Sequence, residues 1–185
     1  MPNINEYLEE LKSLAHSPKL VAVHSQKKVL ANGAYVAEDV VSEDITTALG
    51  ATPWSFPGMA KTPGGGGWIV GGLITAETTA IASWFTLFLH IDAPTCVVSD
   101  GIPNTAPILA DRTIYVGRID FPACSGLGTN EMSETMATPS TVGNLPMPFV
   151  CQHNSSALYG VLVIRNAVDL AANTWLRIAL NVDQH

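Results

Sequence analysis

Of the residues able to do chemistry, His90 and Asp92 stand two apart at the end of the run SWFTLFLHI, so on a strand both side chains fall on one face. An imidazole and a carboxylate so placed begin a cupin-like metal site, which normally adds a further histidine and carboxylate. Only His24 and His153 are plausible supplements among the five histidines. A lone histidine closing an apolar strand more often serves as a hydrogen-bonded structural residue, and that role is the expectation here. Asp100, Asn104 and Asp111 could suggest calcium but lack the dense oxygen-ligand loop of an EF-hand, and turn-forming roles are expected for all three.

The stretch KTPGGGGWIVGGLIT, Lys61 to Thr75, invites a phosphate-binding reading. A phosphate loop needs GxxxxGK[ST] between a strand and a helix, and a dinucleotide fingerprint must open a helix inside a βαβ unit. Here no lysine follows the glycines, and the next segment reads as a strand. The glycines are expected to make a side-chain-free corner, with Gly71-Gly72 allowing a bulge or a close backbone approach.

Nucleophilic chemistry fares no better. No GxSxG occurs, and Cys124-Ser125-Gly126 has no local histidine. The pairs Glu9-Glu10, Glu38-Asp39 and Glu43-Asp44 are sequence neighbours, whose side chains point apart on a helix or strand, so none is an evident acid/base pair. Cys96, Cys124 and Cys151 contain no CxxC pair and read as buried, reduced thiols. Neither an enzyme, a metal nor a cofactor is expected. Sugar recognition by exposed aromatics would draw on Trp54, Trp68, Trp84 and Trp175, for each of which a core or interface position is the simpler expectation.

The elements that must position these residues belong to a chain of 185 residues, most simply one domain. Charged residues make up only 14% and hydrophobic ones 47%, so the surface is either polar and neutral or partly hidden by other chains. Nine Lys and Arg against sixteen Asp and Glu give a formal charge of −7, and no basic cluster exceeds Lys27-Lys28. Nucleic acid and anionic membrane are therefore poor partners. The opening MPNINEYLEELKSLAH lacks the basic region and apolar core of a signal peptide, and no apolar run reaches the roughly 20 residues of a membrane span. Synthesis in the cytoplasm as a soluble protein is expected.

Asn3 and Glu6 resemble a capping box, and Ile4, Leu8, Leu11 and Leu14 recur at helical spacing. This predicts a short amphipathic helix over residues 4–15, stopped by Ser17-Pro18. Residues 1–18 thus form a helical arm and residues 19–185 a β domain. Its short runs are LVAVH, KVLA, GAYVAEDVV, GWIVGGLIT, SWFTLFLHI, TCVV, TIYVGRID, PMPFVCQ, ALYGVLVI and WLRIALNV. Their spacing predicts an all-β fold, a jelly-roll-like β-sandwich of about 8–10 antiparallel strands. In WLRIALNV the alternation is clean, with Leu176, Ile178, Leu180 and Val182 facing inward. In SWFTLFLHI both faces are apolar, so something covers each side: the helix, a long loop or a neighbouring subunit. Gly101 to Asp111 and Pro122 to Leu145 have little periodicity and read as long connections.

The passages GGGGWIVGGLIT, FTLFLH, NTAPILADRTIYVGRIDFPA, ATPSTVGNLPMPF and ALYGVLVIRNA, which span most of Gly64 to Ala167, resemble those of small structural proteins of tailed bacteriophage particles. The likeness is to the jelly-roll or β-sandwich capsid decoration (cement) proteins. It implies a non-enzymatic virion protein, made in the host cytoplasm and seated on the capsid exterior, often as a trimer, where it reinforces the shell. The expected partners are sister copies and a major capsid or other virion protein. Ile4, Tyr7, Leu8, Leu11, Leu14, Trp84 and Phe88 are the expected interface residues. A glycan-binding module of a phage fibre or tail, using the tryptophans and the Asp100 to Asp111 loop, is the alternative, and a cupin-like metalloenzyme around His90 and Asp92 a further one.

Overall fold

The computed structural model describes residues 3–5, 8, 19–29, 33–43, 51–78, 81–128, 132–141, 144–170 and 173–185. Thirteen strands are described: β1 (Lys19–Val29), β2 (Gly33–Tyr35), β3 (Val40–Val41), β4 (Trp54–Phe56), β5 (Gly66–Ala76), β6 (Phe85–His90), β7 (Tyr115–Phe121), β8 (Ser125–Gly126), β9 (Ser133–Ala137), β10 (Met147–Val150), β11 (Leu158–Ile164), β12 (Val168–Leu170) and β13 (Thr174–Gln184).

Six strands form one antiparallel sheet, in the order β1-β13-β5-β9-β8 with β10 also paired to β5. Five form a second, in the order β3-β11-β6-β7 with β4 also paired to β11, and β2 and β12 make a small ribbon. Period-two alternation dictates which side chains meet between the sheets. Ile69 and Ile74 of β5 and Leu176, Ile178, Leu180 and Val182 of β13 pack in one cluster with Phe85, Leu87 and Leu89 of β6 and Leu158, Leu162 and Ile164 of β11. The chain is therefore an all-β sandwich of two antiparallel sheets.

The glycine-rich stretch leads straight into β5, where its glycines allow close backbone approach. A Cβ on Gly67 would collide with the carbonyl of Asp183 on the neighbouring strand, and one on Gly72 would lie 2.9 Å from the Phe121 ring. Ile69 pairs with Val182 and Gly71 with Asn181, which leaves Val70 as the extra residue of a β-bulge.

Several sequence expectations need correction. LVAVH and the start of KVLA are one strand, β1, because pairing with β13 runs without a break from Lys19 to Val29. GAYVAEDVV divides into β2 and β3, with a turn in which Glu38 takes a positive φ of 78°. TCVV is not a strand but part of a long loop. Pro122 to Leu145 is not structureless, since it carries β8 and β9. The helix expected over residues 4–15 lies mostly outside the described residues. Ile4 and Leu8 are described and exposed, whereas Tyr7, Leu11 and Leu14 lie outside.

Candidate functional site

The two sheets bury their inner faces alike but differ outside. On β6, Thr86, Phe88 and His90 point away from the core, yet all three are buried. The chain between β6 and β7 covers Phe88, Tyr115 packs on His90, and Thr86 is bonded to Asp120 and Arg165. Cys96, Ala106, Val97, Val98 and Ile108 pack with Phe88, Tyr115, Val161, Val163 and Val40 in a second hydrophobic cluster. This answers the doubly apolar pattern of SWFTLFLHI: the second cover is a loop of the same chain. Phe88, only 4% exposed, is thus occupied by its own chain rather than presented at the surface.

The acidic residues of that loop act as staples. Asp111 accepts hydrogen bonds from the Thr95 hydroxyl at 2.7 Å, the Thr95 amide at 3.0 Å and the Cys96 amide at 3.2 Å. Burial raises its carboxyl, but these bonds and the nearby His90 outweigh that and hold it below the usual carboxylate range. Asp100 accepts from the Tyr35 hydroxyl and the Ser42 amide, each at 2.7 Å. The Asn104 side chain accepts from the Ala106 amide at 2.7 Å, a local turn bond. Val40 extends this stitching, its carbonyl accepting from the Gly101 amide and its amide donating to the Ile102 carbonyl, both at 2.9 Å.

The histidines and carboxylates weighed for a metal do not converge. His90 is fully buried beneath the loop, with Tyr115 tilted against it at 5.5 Å between centroids. Among the described residues neither of its ring nitrogens finds a hydrogen-bond partner, so the structural bond expected of it is not seen there. Burial lowers its pKa more than Asp111 raises it, which favours neutral imidazole. Asp92 instead caps its own turn through the Ala93 amide and accepts from Gln152 at 3.1 Å. His24 lies on the opposite sheet beside Arg177, and His153 is exposed. Among the described residues no three His, Cys, Asp or Glu side chains come together as a metal site. The thiols are buried, and desolvation pushes Cys96 and Cys151 up to about 11 and Cys124 up to about 12, well away from a nucleophilic thiolate.

A buried lysine has a structural explanation. Lys27 of β1 donates to Glu43, to the Thr52 carbonyl and to the Thr52 hydroxyl, and lies 5.6 Å over the Trp54 ring. Burial lowers the lysine's pKa despite this pairing. It also raises the Glu43 carboxyl, but the bonds from Lys27, Thr52 and Ser42 bring that group down to about 2. Desolvation of the cation and docking of the anion thus oppose each other in the energetics of the pair.

The outer face of the six-stranded sheet carries no comparable cover among the described residues. Register places Leu20, Ala22, His24, Gln26 and Lys28 of β1 beside Asp183, Asn181, Ala179, Arg177 and Trp175 of β13. Trp68, Leu73 and Thr75 of β5 continue this face toward Pro148, Met136 and Glu134. Val150 is 64% exposed, Trp68 42% and Trp175 39%, and Leu20 and Met136 are exposed too. Lys28 and Arg177 balance Glu134 and Asp183, and Glu77, whose carboxylate accepts from the Trp175 amide at 3.4 Å, leaves this face with a formal charge of −1 on a chain of net charge −7.

The four tryptophans now separate. Trp54 is buried and donates its indole N–H to the Val41 carbonyl at 2.9 Å. Trp68 and Trp175 lie on the open sheet face. Trp84, 60% exposed, lies instead at the far side of the five-stranded sheet, where the covering loop ends and a groove of about 540 Å³ begins. Sequence reasoning named Trp84 but missed its polar neighbours, Glu38, Arg118, Asp120 and Arg165. Those residues come together only through strand pairing, and the Arg165–Glu38 ion pair spans 127 positions.

No family model matches the chain, and no curated protein matches it in sequence. Solved structures to which it is similar include a chain of the cyanophage Pam1 capsid asymmetric unit, at 12% identity and a TM-score of 0.34, covering 92% of this chain and 88% of that one. Turnip yellow mosaic virus follows at 11% and 0.30, covering 91% and 82%, and desmodium yellow mottle tymovirus at 10% and 0.27, covering 91% and 89%. At scores this low the likeness carries no residue role and no activity to this chain.

Proposed function

We propose that this chain is a structural protein of a virus particle: a capsid decoration, or cement, protein with a jelly-roll-like sandwich that reinforces the assembled head through contacts with sister copies. The observation that carries this reading is the open, nearly neutral and aromatic-bearing face of the six-stranded sheet. Exposed apolar side chains gathered at one end of a sheet, Trp68 and Val150 on adjacent strands beside Pro148, mark an interaction surface. Its occupant is a sister copy. Acidic chains repel one another wherever their charge is concentrated, but a face with nearly balanced charge brings little like-charge penalty when it meets another copy. Trp68, Pro148 and Val150 supply an apolar anchor at one end of the contact and Trp175 a second at the other.

The resemblance of the sequence to phage decoration proteins supports placing this contact on a capsid exterior, three copies to a ring. In the same reading Ile4, Tyr7, Leu8, Leu11 and Leu14 of the amino-terminal segment contact the shell. The test is occupancy of purified phage heads that lack the protein. The wild-type chain should bind stoichiometrically, and the double variant Trp68→Arg/Val150→Arg should bind at least about tenfold more weakly. Equal occupancy by both would remove the sheet face from the contact.

A further inference from the structure

We propose that the groove beside Trp84 is a binding site for a neutral saccharide, separate from the assembly face and usable at the same time. The groove opens on the outer side of the five-stranded sheet, with Trp84, Thr86, Arg118, Asp120, Glu38 and Arg165 in its wall. Its volume of about 540 Å³ suits one or two sugar rings, within the range of small-molecule sites.

Trp84 sits on a fixed stretch of backbone. Its amide donates to the Asn166 side chain at 2.9 Å, and its carbonyl accepts from the Arg165 amide at 2.9 Å. Its ring nevertheless remains the most exposed among the four tryptophans. An indole held by its backbone and left open beside polar groups is suited to stacking against a flat, partly apolar ligand face.

The polar wall is equally fixed. The Arg165 Nε donates to the Thr86 hydroxyl at 2.8 Å, which donates to Asp120 Oδ1 at 2.7 Å. Asp120 Oδ2 accepts from Asn144 at 2.8 Å and pairs with Arg118 Nε at 3.1 Å. Arg165 also pairs with Glu38, and its guanidinium lies 5.5 Å over the Phe88 ring. The loop that covers Phe88 thereby helps to set the groove.

Charge then selects the ligand class. Two guanidinium groups and two carboxylates line the groove and pair with each other, so it offers neither net positive charge to a phosphate nor unpaired carboxylates to a cation. It still offers forked donors and carboxylate acceptors at exposed positions, since Arg118 and Glu38 are both about half exposed. A sugar ring matches this set: its C–H face stacks on the indole while vicinal hydroxyls both donate and accept along the edge.

The experiment uses the full chain and a panel of neutral methyl glycosides of glucose, galactose, mannose and N-acetylglucosamine, read by saturation-transfer NMR. At least one should bind with affinity on the order of 1 mM, as expected of a small ligand in an open groove. Trp84→Ala should weaken it at least about tenfold, and Asp120→Asn should weaken it too, while Trp68→Ala should leave it unchanged. Circular dichroism establishes that each variant is folded, and Trp84, being exposed, is safe to truncate. Absence of transfer from every glycoside overturns the proposal. So does binding that survives Trp84→Ala, or protection of Trp84 by a neighbouring copy in solution. Because Trp68 and Trp84 lie on opposite sheets, failure here leaves the assembly reading standing.

Discussion

Much of the outer face of the five-stranded sheet is roofed by its own chain, whereas that of the six-stranded sheet has no such cover among the described residues, and the strands differ to match: β6 is apolar on both faces, while β13 alternates. Under the roof sit Phe88, Val161 and Val163 with Cys96 and Ala106 above them. On the open face, Trp68, Trp175 and Val150 meet solvent. The roof is secured by buried carboxylates accepting loop amides and hydroxyls, and each such staple replaces water that the groups would otherwise need. Apolar area thus serves stability on one side and remains available for association on the other.

The sharpest contrast between the faces is truncation of one aromatic on each. Phe88→Ala empties a packed site and should lower unfolding free energy by about 3–5 kcal/mol. Trp68→Ala removes a side chain partly in contact with water and should cost less, about 1–2 kcal/mol in the isolated chain. Urea denaturation at low protein concentration measures both. Similar losses at the two positions would mean that the open face is covered within one molecule.

Next in size is loss of the Asp111 staple. Asp111→Ala leaves the Thr95 and Cys96 amides without their acceptor and should cost about 2–4 kcal/mol. Cys96 reports whether the roof itself has lifted. In the wild type all three thiols should resist alkylation at pH 8, because they are buried and their pKa values are raised. In Asp111→Ala, Cys96 should react first while Cys124 and Cys151, beneath the sandwich core cluster, stay protected. Simultaneous reaction of all three would indicate global unfolding instead of local opening.

A smaller effect should separate the faces by pH. His90 faces Asp111 and Tyr115 under the roof, and its folded pKa is lowered. The unfolded chain therefore binds the extra proton more readily. The stability linked to this residue is full above the ordinary histidine value of 6.5 and declines as pH falls through the folded value. The urea midpoint should drop from pH 7 to pH 5, and His90→Phe should flatten that slope. Glu43 acts in a lower window: its contribution is full above 4.5 and is lost as pH falls toward about 2. An unchanged slope in His90→Phe would shift the effect to another histidine.

The sequence discloses this division unevenly. The alternation of Leu176, Ile178, Leu180 and Val182 reads directly as an inner face because each is a large apolar residue at period two. The doubly apolar β6 signals a cover, but which segment supplies it depends on Asp111 reaching back sixteen positions to Thr95. TCVV has strand-like composition and yet forms roof, since its apolar residues pack downward onto β6 and β11. β9 escapes notice for the opposite reason. Its inward positions include Ser133 and Thr135, whose hydroxyls are satisfied by the Thr78 and Pro122 carbonyls, both at 2.6 Å, so the strand lacks an apolar alternation. Of the site, Trp84 is visible as an aromatic, but Glu38, Arg118, Asp120 and Arg165 are ordinary charged residues until pairing of β6 with β7 and β11 gathers them.

The most direct measurement of the open face's role is mass in solution by sedimentation equilibrium, over micromolar to near-millimolar protein. The wild-type chain should give a multiple of 19.6 kDa, and Trp68→Arg/Val150→Arg should return to 19.6 kDa. A wild-type chain that stays at 19.6 kDa throughout, or a double variant that associates as strongly as the wild type, would contradict an assembly role for this face.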